Sequence, residues 1–324
     1  MADSIYNQLS RYTQPPLIIL GTMGAIFNQI LFTSRKSLRT TSCSFYFRAL
    51  SLNDFLVLYI YVLLQWLADQ YGFDPTKKFD WYCKMKTYLQ TVLYTLSPYF
   101  VVLACFDRLC TSSTHVRLRR IATVRIASFL IPAMTIFIFA IFSHMPFFYM
   151  LTSYPSGSYC TPVSSEYNRV FAILVVIALG IVPPILMMIL CITTLILLRR
   201  QRRRIMPINQ ARLRQRDNQL LKMLLLYVVF HVITTIPFST TLLIAVYQIS
   251  STSPTILLLY RLSVLLFNTN YSTSFYIYTL STPFYRQELY CLIKDTLKKF
   301  NRIIRPNYYQ PKLHITVNTR LKRS

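Results

Sequence analysis

The sequence has few of the charged residues that a soluble protein needs to cover its surface. Asp, Glu, Lys and Arg make up 14% of its 324 residues, whereas 54% are hydrophobic. Soluble domains carry about 25% charged and about 45–50% apolar residues. The composition therefore indicates a protein that uses lipid as its solvent.

Acidic residues are the scarcest charged type, with ten Asp and Glu against 35 Lys and Arg and a formal net charge of +25. A charge of this size is also typical of nucleic-acid-binding proteins. Here the basic residues fall in short runs between long apolar stretches, as at 117–120 and 199–204. This distribution argues against a nucleic-acid partner, because no water-soluble basic domain is present to bind one.

Other absences narrow the class of membrane protein. The chain has only five Gly and no internal repeat, whereas transporters commonly show repeats and Gly-rich broken helices. Its four His are scattered, and neither a His-Glu-x-x-His nor a paired-carboxylate motif occurs, so no enzyme is expected. No small-residue cleavage site follows the first apolar run, so no cleaved signal peptide is expected.

Long apolar segments are what the sequence does contain. A helix needs roughly 20 mainly apolar residues to cross a bilayer, and seven segments meet that length with only short gaps between them. The sequence predicts an all-α membrane protein with a seven-helix bundle over 14–280. Its expected spans are 14–33, 44–68, 84–109, 122–143, 168–198, 219–247 and 255–280.

The orientation follows from Lys and Arg, which concentrate in short cytosolic loops. Most of the 35 basic residues fall around the first, third and fifth loops and in the C-terminal tail. We therefore expect an extracellular N-terminal tail over 1–13 and a cytosolic C-terminus. The outer side keeps only Arg11, Lys77, Lys78, Lys84, Lys86, Arg169 and Arg261.

Two segments follow the seventh span. Apolar residues recur on one face of 281–300, which predicts an amphipathic helix lying in the membrane interface. Cys291 on this helix is a candidate for palmitoylation; an unmodified buried cysteine is the alternative. The final stretch, 301–324, is basic and contains Pro, and we expect it to be a largely disordered cytosolic tail.

Polar residues inside the spans are the candidates for function. An ionisable group in a span costs about 2.5–3.5 kcal/mol on insertion scales, so such groups are usually functional. Asp54 lies in the middle of the second span, and Asp107-Arg108 close the third. Asn28, in the first span, would serve helix packing. Pro237 lies in the sixth span, where membrane helices tolerate a kink.

These residues resemble those of the rhodopsin-like (class A) G-protein-coupled receptors over 14–296. Asn28 and Asp54 are similar to the Asn and Asp of the family's first two helices, and Asp107-Arg108-Leu109 resembles its Asp-Arg-Tyr signature. The family's third-helix Cys lies 25 residues before that Arg, as Cys83 does here. Its sixth-helix Pro resembles Pro237.

The resemblance implies a disulfide and a resting-state latch. Cys83 would pair with Cys160 in the second outer loop. Asp217 stands where many members carry an acid that pairs with the third-helix Arg, so a latch between Arg108 and Asp217 is expected beside Asp107–Arg108. A solvated acid in a basic loop is the alternative for Asp217.

The resemblance also implies a polar centre and an activation motif. Asp54, Ser97, Asn270 and Ser274 would form a hydrated sodium pocket, since oxygen ligands suit a hard cation. The family's Asn-Pro-x-x-Tyr resembles Ser274-Phe-Tyr-Ile-Tyr278, which keeps the Tyr and loses the Asn and Pro. The sixth-helix Trp is replaced by Thr235, and His231 stands one turn earlier, where it is expected to be a core residue.

The ligand pocket is expected to be neutral and rich in Tyr. Gln90 stands where amine receptors of the family carry an Asp, and no Lys lies between 223 and 293 to bind retinal. Gln90 and the Phe-x-Ile-Tyr ending resemble invertebrate neuropeptide receptors of the FMRFamide type. An interfacial aromatic belt would give the same Tyr residues. The expected pocket residues are Gln90, Tyr94, Tyr247, Gln248 and Tyr260, with Asp69, Asp74, Asp80 and Glu166 at the rim.

Together these residues favour a plasma-membrane receptor that transmits binding of an extracellular ligand, expected to be a neuropeptide, to a cytosolic heterotrimeric G protein. No cofactor is expected beyond a structural sodium ion. A polytopic transporter or channel is the alternative.

Overall fold

A computed structural model describes residues 2–34, 41–113, 115–154, 157–202, 208–247 and 254–304. Seven long helices in these ranges pack into one bundle, and an eighth follows it. Two of them contain a π-helical turn, over Leu58–Leu63 and Val176–Ile181. The helices are α1 (Ala2–Ser34), α2 (Ser42–Tyr71), α3 (Asp80–Ser112), α4 (Val124–Phe142), α5 (Ser165–Val175, continued by the π-helical turn and Val182–Arg202), α6 (Ile208–Tyr247), α7 (Pro254–Ser281) and α8 (Pro283–Ile304).

Helices α1 to α6 are long and apolar enough to cross a membrane. Helix α7 is also long enough, but its second half buries the polar residues Asn268, Asn270, Ser272 and Ser274, which lowers its hydropathy. With α7 included, the chain forms the seven-transmembrane bundle that the sequence predicts. The helices continue through the prolines at 98, 132 and 237.

Helix α3 is the centre of the bundle. In its most apolar window 72% of the residues are buried, against 17% for α4. The buried face of α3 runs from Cys83 to Arg108 and beyond, so one helix joins the two ends of the molecule. We call the end with Cys83 the disulfide end and the other the Arg108 end.

A β-hairpin closes the disulfide end. Strands β1 (Tyr149–Tyr154) and β2 (Gly157–Pro162) pair antiparallel, with Leu151 opposite Cys160. Cys160 forms a disulfide with Cys83 on α3, and the Leu151 N–H donates to the Asp80 carboxylate on the same helix at 2.9 Å. Two adjacent links therefore fix the hairpin to α3.

Helix α1 begins earlier than the sequence predicts. Residues 2–13, expected to be a tail, continue the first helix through Pro15 and Pro16. The extension packs on α2: the Tyr6 hydroxyl donates to Asp69 Oδ2 at 2.8 Å, and Gln70 Nε2 donates to the Asn7 carbonyl at 3.0 Å. These contacts hold a segment that local sequence alone would leave free.

Contacts between α1 and its neighbouring helices explain why Gly24 and Gln29 occur within this span. A Cβ added to Gly24 would lie 2.9 Å from Phe275 Cβ on α7, so only glycine allows this approach. Gln29 Nε2 donates to the Arg48 carbonyl at 2.7 Å and to Ser51 Oγ at 2.8 Å. The carboxamide of Asn28, predicted to serve packing, is buried and makes no hydrogen bond to the described residues.

Helix α8 leaves the bundle at the Arg108 end. Tyr290, Ile293 and Leu297 are exposed along one side, which fits the predicted interfacial helix because these side chains would meet lipid. Cys291 is exposed rather than buried, and its palmitoylation stays a prediction. Of the basic tail predicted over 301–324, residues 301–304 belong to α8 and the rest lies outside the described residues.

Candidate functional site

A cavity of about 310 Å³ opens among the helices at the disulfide end. Ligand pockets in proteins span about 300–1,000 Å³ and are mostly apolar with a few placed polar groups. This one is enclosed by α2, α3, α5, α6, α7 and β1. Its lining is Tyr61, Thr87, Gln90, Thr91, Tyr94, Thr95, Tyr149, Asn168, Phe171, Ala172, Val175, Leu179, Phe238, Leu242, Ala245, Val246, Tyr260 and Val264.

The structure places three of the five predicted pocket residues in this cavity: Gln90, Tyr94 and Tyr260. Tyr247 does not line it and is 54% exposed. Its neighbour Val246 does, because successive side chains on a helix point about 100° apart. Gln248 lies outside the described residues.

Several residues that line the cavity were not predicted from the sequence. Thr87, Thr91 and Thr95 share the face of α3 that carries Gln90 and Tyr94, and their spacing of four is the signal that could have found them. Asn168 lies in the first turns of α5 and had no such signal. Burial raises the pKa of the Tyr149 hydroxyl in β1 above its ordinary value, so this group is neutral at physiological pH.

The acidic residues predicted at the rim already have partners within the chain. Asp69 accepts from Tyr6, Ser10 and Gln65. Asp74 accepts from the Thr76 N–H and hydroxyl. Asp80 pairs with Lys84 at 2.6 Å and Glu166 with Arg169 at 4.0 Å. Two of the rim acids, Asp80 and Glu166, are thus paired with cations, whereas the hydrogen bonds to Asp69 and Asp74 come from neutral groups.

Tyr94 forms the floor of the cavity and joins α3 to α7. Its hydroxyl donates to Asn268 Oδ1 at 2.7 Å, and its carbonyl accepts from the Tyr271 hydroxyl at 3.2 Å. The rings of Tyr94 and Tyr271 stack with centroids 5.1 Å apart, and Phe267 packs edge-on at 5.2 Å. A movement of Tyr94 would therefore be transmitted to α7 through these contacts.

Below the floor lies a buried polar centre around Asp54, which is 1% exposed. Ser97 Oγ donates to Asp54 Oδ1 at 2.7 Å and accepts from Asn53 Nδ2 at 2.7 Å. The Ser274 hydroxyl lies beside the same carboxylate. Asp54 Oδ2 makes no hydrogen bond within the described part of the chain.

Asn270, the fourth residue predicted for this centre, faces α6. Its Nδ2 donates to Thr234 Oγ1 at 2.5 Å and it also contacts His231, while its Oδ1 is buried without a hydrogen-bond partner among the described residues. His231 is 2% exposed and its ring stacks on Tyr227 at 6.2 Å, as expected of a core residue.

The polar centre fits a hard cation. Asp54, Ser97 and Ser274 bring carboxylate and hydroxyl oxygens together, and no described residue donates a hydrogen bond to the buried Asp54 Oδ2 or Asn270 Oδ1. Oxygen donors of this kind suit sodium better than a soft metal. Within the described ranges no cluster of His, Cys, Asp and Glu suits a transition metal.

The Arg108 end holds a buried charged pair. Arg108 Nη2 lies 3.1 Å from Asp107 Oδ2, and each residue is 4% exposed. Asp217 belongs to α6, but its side chain lies outside the described set, so the predicted latch is not tested. Tyr278 is buried nearby against Phe47, with ring centroids 5.0 Å apart.

Comparison with known proteins gives one family. The family model described as 7 transmembrane receptor (rhodopsin family) matches residues 27–274. That range includes Asp54, the disulfide, the cavity and Arg108. A search of curated proteins found no match.

Proposed function

Because the chain belongs to the rhodopsin family of seven-transmembrane receptors, we propose that it binds an extracellular ligand in the cavity and activates a cytosolic heterotrimeric G protein. Members of this family are multi-pass proteins of the plasma membrane. The observation that carries the proposal is the course of α3, which lines the cavity with Gln90 and Tyr94 and ends in the buried Asp107–Arg108 pair.

The proposal orients the disulfide end outward. Disulfides persist in oxidising compartments, and Sγ of Cys160, which is bonded to Cys83, lies 3.6 Å from the hydroxyl of the cavity residue Thr87. The excess of Lys and Arg around the loops of the opposite end supports the same orientation. In this arrangement the N-terminal part of α1 lies outside and α8 lies at the cytosolic face.

Signal transfer is proposed to end at Arg108. A charged pair that is almost fully buried is costly to leave half-made, so a partner that captures Arg108 must replace Asp107. In the resting state Asp217 would hold the same guanidinium from α6, and Tyr278 would move with α7 when the pair opens. A G protein that inserts at this end would thereby stabilise the active arrangement.

A sodium ion is proposed for the polar centre. Asp54, Ser97 and Ser274 would hold it, with Asn270 reached through water. When bound, the ion would supply the positive charge that a buried carboxylate requires. The unpaired Asp54 Oδ2 supports this assignment.

We propose a neuropeptide as the ligand. Gln90 in place of an acid argues against an amine, and Gln90 with the Phe275-x-Ile277-Tyr278 ending is similar to invertebrate receptors of the FMRFamide type. Of the rim acids, Asp80 and Glu166 are paired with Lys84 and Arg169, which weakens their attraction for a basic peptide. The peptide would therefore be selected inside the cavity.

Exposed Cys291 is the proposed palmitoylation site that would anchor α8.

The proposal is tested by expressing the chain in cells with sensors for G-protein dissociation and screening a neuropeptide library. A peptide should activate at least one G-protein class, and Arg108→Ala should abolish the response while surface expression stays unchanged. Arg48→Ala, which removes another basic side chain near the cytosolic end of the bundle, is the control and should retain the response. Ligand-gated ion flux without G-protein activation would instead favour the transporter or channel alternative.

A further inference from the structure

We infer that Cys105 and Cys191 form a redox-sensitive thiol pair, which a peroxide oxidises to a disulfide between α3 and α5. Both residues are free thiols, and neither takes part in the proposed transfer of the signal to Arg108. Such a cross-link is independent of ligand binding and of the G protein, so it can be measured whatever activates the receptor.

The two thiols are already in contact across the interface of α3 and α5. Their sulfur atoms lie 3.6 Å apart, although the residues are 86 positions apart in the chain. A disulfide has a sulfur–sulfur length of about 2.0 Å, so the two atoms need to approach by about 1.6 Å. Rotation of the two side chains about their χ1 torsions is enough to change a sulfur–sulfur distance by this amount.

Both thiols are enclosed by the packed core. Cys105 is 1% exposed and Cys191 is 0% exposed, and both belong to the main cluster of buried apolar side chains. An oxidant that reaches them must therefore be small and uncharged, as hydrogen peroxide is. Glutathione, the charged thiol that keeps cytosolic cysteines reduced, is excluded by the same packing. A disulfide formed here therefore persists while the bundle stays closed.

The surroundings of the pair favour oxidation over metal binding. Structural zinc takes four ligands, mostly Cys and His. Within the described ranges no group of three or more His, Cys, Asp and Glu side chains suits a metal ion, so two thiols would leave zinc without half of its ligands. The same two thiols are the complete set that a disulfide requires.

Oxidation consumes one peroxide molecule and both thiols. The thiolate is the reactive form of cysteine. One sulfur attacks a peroxide oxygen and the O–O bond breaks, which gives a sulfenic acid and a hydroxide that leaves as water with the thiol proton. The second sulfur attacks the sulfenic sulfur, the S–O bond breaks, and its own proton leaves in a second water. Two sulfur atoms are thereby oxidised, and the peroxide is reduced to two water molecules.

The cross-link would restrain the Arg108 end of the bundle. Cys105 precedes Arg108 by three residues, which is about 4.5 Å along the helix axis. A covalent bond at this depth ties α5 to α3 next to the buried charged pair. A cross-link between distant residues also restricts the unfolded chain, so the oxidised protein should melt at a higher temperature.

Mass spectrometry of the purified full-length protein in lipid nanodiscs tests the inference. The protein is treated with excess hydrogen peroxide, free thiols are alkylated under denaturing conditions, and the digest is searched for a peptide that joins Cys105 to Cys191. This cross-linked peptide should appear with peroxide, be absent without it, and disappear when dithiothreitol is added to the denatured protein. The melting temperature should rise with the cross-linked fraction.

Three serine variants locate the effect. Cys105→Ser and Cys191→Ser should each lose the peroxide-dependent rise in melting temperature. Cys110→Ser, which alters a buried thiol about 140° around the same helix, should keep it.

The wild-type digest decides the outcome even where a serine variant fails to fold. Met150 in β1 is 44% exposed, and its conversion to the sulfoxide shows that peroxide has acted. If Met150 is oxidised and no peptide joins Cys105 to Cys191, the inference is wrong and the pair serves packing alone. A cross-link without any rise in melting temperature would overturn the restraint on the bundle.

Discussion

The Tyr94 hydroxyl donates a 2.7 Å hydrogen bond to Asn268 Oδ1 directly beneath the cavity. Tyr94 lines the cavity on α3, whereas Asn268 is a buried residue of α7. The two helices are thus joined by a polar contact at the point where a ligand would press.

Tyr94→Phe should destabilise the receptor by about 1–3 kcal/mol, because Asn268 Oδ1 is left buried without its donor. Thermal unfolding of the purified protein measures the loss. Tyr99→Phe removes a hydroxyl from the same helix at a half-buried position and should have little effect. Equal stability of the two variants would show that the contact with Asn268 contributes nothing.

Asp54→Asn should abolish stabilisation by sodium. The wild-type melting temperature should be higher in NaCl than in choline chloride of the same ionic strength, because ion binding favours the folded state. Asp74→Asn, at the rim, should retain the difference. A sodium effect that survives in Asp54→Asn would exclude this carboxylate as the ion's ligand.

Asp217→Ala should raise ligand-independent G-protein activation, because Arg108 would lose a restraint from α6. Basal sensor signal normalised to surface expression is the measurement, and Asn218→Ala is the neighbouring control. Unchanged basal activity would contradict the latch and support the alternative, in which Asp217 is a solvated acid in a basic loop.

Gly24→Ala should destabilise the bundle by about 1–3 kcal/mol, the usual cost of overpacking. The new methyl group would meet Phe275 Cβ at 2.9 Å, and a Cβ cannot rotate away. Gly180→Ala should cost less, since its contact is Ser239 Oγ, a hydroxyl that makes no hydrogen bond to described residues and can turn aside. Melting temperatures in the reverse order would contradict this account.

Tyr6→Phe should loosen the N-terminal part of α1, because the hydrogen bond to Asp69 is lost. Amide hydrogen exchange over residues 4–13 should become faster, since fewer tertiary contacts hold this segment. Tyr12→Phe, whose side chain is 74% exposed, should exchange like the wild type. Unchanged exchange in Tyr6→Phe would assign the anchoring to other contacts.

The disulfide and the seven spans were predictable because their signals are local or rare. A window of about 20 apolar residues needs no tertiary information to be recognised. Cys83 and Arg108 are uncommon residue types in membrane spans, and their spacing carried the resemblance. The prediction that Cys83 pairs with Cys160 is confirmed.

Two features that were not predicted from the sequence, the N-terminal part of α1 and the β-hairpin, depend on contacts between distant parts of the chain. The first span was expected to begin at residue 14, but the preceding turns are also helical and Tyr6 contacts Asp69 across 63 positions. Nothing in the residues of β1 and β2 indicated a hairpin, since its position depends on links to Asp80 and Cys83.

Side-chain direction limited the prediction of the site. Tyr247 was predicted for the cavity on its residue type, yet it is exposed and its neighbour Val246 lines the cavity instead. Asn270 was assigned to Asp54 by resemblance and instead contacts Thr234 on α6. Both depend on the rotation of a helix about its axis, which residue type alone does not fix.

The polar second half of α7 also bears on how the protein is made. A segment that carries Asn268, Asn270, Ser272 and Ser274 partitions into lipid less readily than the six helices synthesised before it. Asn270 and Asn268 of this segment bond to Thr234 on α6 and Tyr94 on α3, two helices that precede α7 in the chain. A chain truncated before residue 254 would lack α7, so Thr234 and Tyr94 would be left without these polar partners in the interior of the remaining helices.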